Sequence, residues 1–226
     1  MRILALDTST EYLSLALLLE GSTYSHSVLA GQTHSQQILP LLRELLTKAN
    51  IGLHDLDGIA FGAGPGSFTG LRIGCGVVQG LAFGANLPVV GVSTLLALAQ
   101  EIWAERVIAC IDARMGEVYY AAYVRHGETW EEVSAPGLYK PDEVPELPDD
   151  GWVGVGSGWA TYQDVLHPCY SEQISLILPN EYPHALAIAE LGKPMFEAGL
   201  GLPAAQAAPI YIRNKVALKM SERNNQ

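Results

Sequence analysis

The turn Asp7-Thr8-Ser9-Thr10 places a carboxylate, three hydroxyls and a run of backbone N–H groups between the apolar runs ILAL and YLSLALLL. Such a turn can grip phosphate, with the carboxylate working near a Mg²⁺ ion. It can equally be an Asx or Ser/Thr turn that only closes a hairpin. Asp7, Thr8 and Ser9 are therefore the candidate nucleotide-binding residues. Asp112, which opens DARMGE, holds the same place in a second hairpin, but Arg114 and Glu117 stand where hydroxyls are expected. A complete ATP site is not anticipated from that pair of turns.

The stretch GAGPGSFTGLRIGCGVVQGLAFG, from Gly62 to Gly84, holds eight of the chain's 23 glycines. It lacks the lysine of a Walker A loop. Ser67 and Thr69 stand where a dinucleotide fingerprint needs its third glycine. Gly64-Pro65-Gly66 forms a tight turn ahead of a helix N-terminus, an end that can hold an anion. Beyond Ser67 the spacing points elsewhere. Gly66, Gly70 and Gly74 recur every four residues, and Gly76, Gly80 and Gly84 do so on roughly the opposite helix face. Each helical glycine costs ~1 kcal/mol relative to alanine, and close approach of another backbone can offset that. One stripe suits the protein's own sheet and leaves the other for a neighbour's helix. Internal packing of both stripes is the alternative.

Other chemistry is sparse. None of the six histidines pairs with His, Cys or a carboxylate at metal-ligand spacing, so no protein metal site is expected. His34 opens a helix and reads as a solvated surface residue, with an N-terminal polar contact as the alternative. GVGSGW misses the G-x-S-x-G elbow at Ser157 and Trp159, and reads as a strand-to-helix turn. Cys75, Cys110 and Cys169 read as free thiols in a reducing compartment. No residue is assigned a catalytic role. A formal charge of −11 excludes a broad basic footprint for nucleic acid. Only the end is basic: Arg213, Lys215, Lys219 and Arg223 oppose Glu222 alone, as a solvated tail or as a finger toward RNA or a partner. No apolar run reaches the ~20 residues of a membrane span, and the opening MRILALDTST lacks a signal-peptide core, so a cytoplasmic location is expected.

These residues need elements to hold them. ILALD, YLSLALLL and STYSHSVLA read as a three-strand meander. HSQQILPLLRELLTKAN follows with apolar residues at helical spacing, and Pro40 sits in its first turn or kinks it. GIAF is a buried strand, a helix starts near Ser67, PVVGV is another strand, and STLLALAQEIWA is a helix with Ser93 as N-cap. From Val107 the order repeats: a meander through VIACIDARMGEVYYAAYV and TWEEVSA, a proline-rich crossing, then strand, helix, strand and helix. The hinge is placed near Glu101–Arg106. Three regions result: residues 1–104 as an N-terminal lobe with dimerisation helices, 105–202 as a C-terminal lobe, and 203–226 as a segment packing back on the first lobe. The fold class is α/β. The layout resembles the two-lobed actin-like and sugar-kinase-like ATPase fold, a duplicated ribonuclease-H-like unit whose hairpin turns face each other across a cleft.

LALDTS, HSQQILPLL, GPGSFTGLRIG with GLAFGANLPVVGVSTL, and PIYIRN, in that order over most of the chain, resemble the TsaB (YeaZ) family. The resemblance implies a non-catalytic relative of TsaD that serves, with TsaD and the small ATPase TsaE, in threonylcarbamoyl transfer to adenosine 37 of tRNA. TsaD holds its metal through an H-x-x-x-H run, and the resemblance places those two positions at Gly91 and Leu95, which cannot ligate. It implies no tightly bound cofactor, with ATP or ADP only at the level of the complex. It implies contact with tRNA only through that complex, no membrane, and pairing with TsaD or with a second copy through the first two helices. Leu41, Leu45, Gly70, Ile73, Gly74, Val77 and Leu81 are the interface candidates, and Gly74→Leu is expected to break assembly while sparing the fold. The alternative is a small actin-like ATPase or kinase that uses DTST as a phosphate loop.

Overall fold

A computed structural model describes residues 1–213. Lys215, Lys219 and Arg223 of the basic end lie outside the described residues. The first sheet has the order β3-β2-β1-β4-β5, from β1 (Ile3–Asp7), β2 (Tyr12–Leu19), β3 (Ser22–Leu29), β4 (Gly58–Gly64) and β5 (Val89–Ser93). The second repeats it as β8-β7-β6-β9-β10, from β6 (Arg106–Arg114), β7 (Glu117–His126), β8 (Thr129–Tyr139), β9 (Trp152–Val155) and β10 (Ile174–Leu178). In each, the first strand pairs antiparallel with the second and parallel with the fourth. The two halves are thus one topology used twice.

The helices are α1 (His34–Ala49), α2 (Phe68–Ala85), α3 (Thr94–Gln100), α4 (Ser157–Cys169) and α5 (Ala185–Glu197). Pro40 lies inside α1. Ser67 caps α2 by accepting from the Gly70 N–H at 3.2 Å, and Asn86, left-handed at φ 53°, ends it. Ser93 caps α3 in the same way, through the Leu96 N–H at 3.4 Å.

β1 and β4 are buried along their whole length, because helices cover both faces of their sheet. Leu4 and Leu6 point to α1 and α2, where Ile38, Leu42, Leu45, Cys75, Val78 and Ala82 complete the layer. Ile3 and Ala5 point the other way, onto Ala185, Ile188, Ala189 and Phe196 of α5. This corrects the expected lobe boundary at residue 202, since α5 covers the N-terminal sheet. The reason is steric fit. α5 presents alanines, and a Cβ at Gly192 would already come within 2.9 Å of the Ala60 Cβ. Conversely α3 buries Leu95, Leu98 and Ala99 against Val107, Ala109, Ala121 and Tyr123 of the second sheet. The two lobes therefore exchange helices.

Past α5 the chain returns to the first lobe. Leu202 bridges to Val89 with two 2.8 Å bonds, the Ala207 carbonyl accepts from the Gln79 amide at 2.8 Å, and Ile210 N–H donates to Ala63 O at 2.7 Å.

Candidate functional site

The turn after β1 is locked into the protein. Asp7 Oδ1 accepts from the Ser9 N–H at 2.9 Å and from the Ser9 hydroxyl at 2.8 Å, which makes it an Asx turn. Thr8 Oγ1 donates to Gly70 O at 2.8 Å, and Ser67 N–H donates to Ser9 O at 2.7 Å. The turn is thereby stitched to the start of α2. Asp7, Thr8 and Ser9 are all buried. Asp7 Oδ2 has no partner among the described residues, and it abuts Gly62, where any Cβ would collide with it. Burial pushes the Asp7 carboxyl up from 3.8 to about 6, against the lowering effect of the two Ser9 bonds.

Across the cleft, Asp112 Oδ1 accepts from the Arg114 N–H at 2.8 Å, and Oδ2 pairs with the Arg114 guanidinium at 3.1 Å. Its own N–H donates to Ser157 Oγ at 3.1 Å, at the start of α4. A cavity of about 660 Å³ lies between the two turns, bordered by Ser9, Phe68, Arg114, Ser157, Tyr211 and Arg213 among others. Ser9 reaches this wall; Asp7 and Thr8 do not. The candidate phosphate ligands are thus split, two turned into the protein and one at the edge of the cavity. His34, expected on the surface, is buried, and its Nε2 donates to Tyr12 O at 3.1 Å. The bond ties the first turn of α1 to the start of β2. Among the described residues no group of three His, Cys, Asp or Glu side chains is arranged to hold a metal ion. Gly91 lies in β5, and Leu95 is part of the core between α3 and the second sheet.

The glycine helix has two unlike faces. A Cβ at Gly70 would run into the Thr8 carbonyl oxygen, and one at Gly74 into Thr8 Oγ1. These two candidate interface residues therefore face inward, where the Asx turn needs the room. The expectation that Gly74→Leu spares the fold is corrected on the same ground. Leu45 is likewise core, packed in the α1–α2 layer. The stripe Gly76, Gly80 and Gly84 faces outward, with no atom within 4 Å of the place a Cβ would take. Ile73, Val77 and Leu81 flank it, half-buried, and Leu41 of α1 is half-buried as well. Phe83 and Leu39, not singled out from sequence, are 82 % and 52 % exposed. The available signal was their position: both sit on the face of their helix away from the buried series Ile38, Leu42, Leu45 and Cys75, Val78, Ala82. The outer face is apolar and almost free of side chains along its midline, so another helix can approach it closely.

Two duplicated meander-and-helix units facing each other across a cleft define a two-lobed α/β protein of the actin-like and sugar-kinase-like fold. Residues 26–186 match the family model described as "TsaD: tRNA N6-adenosine threonylcarbamoyltransferase". The chain is 42 % identical to the tRNA threonylcarbamoyladenosine biosynthesis protein TsaB of Escherichia coli, over 97 % of each chain. It is 40 % identical to the protein of the same name from Haemophilus influenzae, over 97 % of this chain and 96 % of that one. The solved structure of YeaZ from Pseudomonas aeruginosa superposes with a TM-score of 0.83 at 41 % identity, covering 93 % of this chain and 99 % of that one. The chain belongs to the TsaB (YeaZ) family. Among the described residues no helix is long and apolar enough to cross a membrane.

Proposed function

We propose that the chain takes part in tRNA threonylcarbamoyladenosine biosynthesis as a subunit without chemistry of its own. It acts with TsaD and TsaE in the transfer of a threonylcarbamoyl group to adenosine 37 of tRNA, and it holds TsaD in an active arrangement. Alone it forms a homodimer, and it meets tRNA through the complex in the cytoplasm. One observation carries this reading: the outer face of α2 is an open glycine stripe bordered by Ile73, Val77 and the exposed Phe83. Glycines cost helix stability there with no internal neighbour to compensate, which is accounted for by a contact outside the chain. The inward-turned Asp7 and Thr8 give the ATPase alternative no support.

The test combines a pull-down with TsaD and TsaE and a tRNA modification assay, with and without this chain. Modification depends on the chain, and the chain alone transfers nothing. Gly80→Leu, which adds bulk only to the open face, reduces TsaD capture and modification together, while the circular dichroism spectrum holds and the melting temperature of the monomer does not fall. Full capture by a folded Gly80→Leu chain removes α2 as the contact; transfer by the isolated chain removes the non-catalytic reading.

A further inference from the structure

The residues after α5 touch three separate parts of the molecule in a short run. The Ala207 carbonyl accepts from Gln79 of α2 at 2.8 Å and from the Cys75 thiol at 3.3 Å. Four residues on, the Tyr211 hydroxyl accepts from Arg72 Nε at 2.9 Å, and the Arg72 guanidinium stacks 3.7 Å above the Phe68 ring. The Phe68 and Tyr211 rings are themselves 5.5 Å apart. Arg72, Cys75 and Gln79 lie three and four residues apart, so the segment holds one flank of α2 over that stretch. Arg213 then crosses to the other lobe. Its guanidinium pairs with Glu117, donates to Arg114 O at 3.3 Å and lies 3.3 Å from Met115 Sδ. Its side chain is only 12 % exposed against 35 % for that of Glu117, so the arginine end of the pair is shielded from solvent more than in an ordinary surface pair.

The receiving turn is preshaped. Arg114, Met115 and Gly116 have φ of 62°, 59° and 75°, a left-handed run that presents the Arg114 carbonyl to the guanidinium. Arg114, Met115, Tyr211 and Arg213 all border the 660 Å³ cavity. The segment is thus a wall of the cleft that is fastened at both sides.

We infer that residues 204–213 are a clasp that ties α2 to the β6–β7 turn, and that it couples the opening of the interlobe cleft to what binds the outer face of α2. The coupling rests on the reading of α2 as a partner surface; the clasp does not. The held flank (Arg72, Gln79) is contiguous with the open face (Ile73, Gly76, Gly80). A partner that seats against that face meets side chains whose order depends on the segment. Releasing the segment leaves them mobile, and binding then carries the cost of ordering them. By linkage, engagement of α2 favours the closed clasp to the same extent.

The experiment is hydrogen exchange by mass spectrometry on the full chain, with sedimentation of the same samples for self-association. Arg213→Gln and Glu117→Gln each raise exchange of the amides around 110–118 and 208–213 by about tenfold or more, leaving β1–β3 and α1 unchanged. Self-association weakens about fivefold in both. Arg213→Lys, which keeps a cation and N–H donors for Glu117 and the Arg114 carbonyl, stays close to the original chain in both readouts. Unchanged exchange at the turn in both Gln variants overturns the clasp. Faster exchange with unchanged association overturns the coupling. If the unaltered chain neither self-associates nor binds TsaD, the partner reading of α2 and the coupling both fail, while the exchange result still decides the clasp.

Discussion

Asp7 is a buried carboxylate that serves structure at a measurable cost. Its folded pKa is about 6, against 3.8 when exposed. Between those values the unfolded chain has released the proton and the folded chain still holds it. Folding therefore binds a proton in that window, and stability falls as pH rises from about 4 to about 6. Above the window both states are ionised and the burial penalty persists, at ~3 kcal/mol. Asp7→Asn keeps an acceptor for Ser9 and removes the charge. It is expected to stabilise the protein at pH 7.5, to do little at pH 4, and to flatten the profile between. Urea unfolding at several pH values reads this directly; parallel profiles for the two proteins would contradict the buried, unpaired charge.

At the scale of one element, α2 gives opposite responses to the same substitution on its two faces. Gly80→Ala adds a methyl to open space and recovers helix propensity, a gain of ~1 kcal/mol. Gly70→Ala drives the methyl into the Thr8 carbonyl, and overpacking of that kind costs ~1–3 kcal/mol. At dilutions where the chain is monomeric, thermal melts of the two variants should shift in opposite directions. A rise in both would mean that the inner stripe has slack, and a fall in both would mean that the outer stripe is already occupied.

At the scale of the molecule, the exchange of helices makes the lobes interdependent. Residues 1–104 contain a full sheet but lack α5, so Ile3, Ala5, Ala60 and Val90 lose their cover. They also carry α3, whose Leu95 and Leu98 pack on the absent second sheet. The isolated fragment is expected to lack a cooperative transition, and an added fragment of residues 105–226 is expected to restore one. A sharp unfolding transition for residues 1–104 alone would show that the apolar faces find another arrangement.

Much of this was legible along the chain. Alternation of period two in YLSLALLL and helical spacing in QQILPLLRELL follow from backbone geometry that acts over a few residues. So does the preference of Ser93 for an N-cap, and the repeat of the two hairpins was visible as order alone. The sequence by itself thus determined the elements, their duplication and the special standing of α2. Only the tertiary structure decided which glycine stripe turns inward, because the two stripes have the same spacing and differ only in what lies opposite: the Thr8 carbonyl for one, open space for the other. It likewise decided that α5 covers the first sheet and that Arg213 reaches Glu117, since such pairings join residues far apart in the chain and depend on how the faces fit.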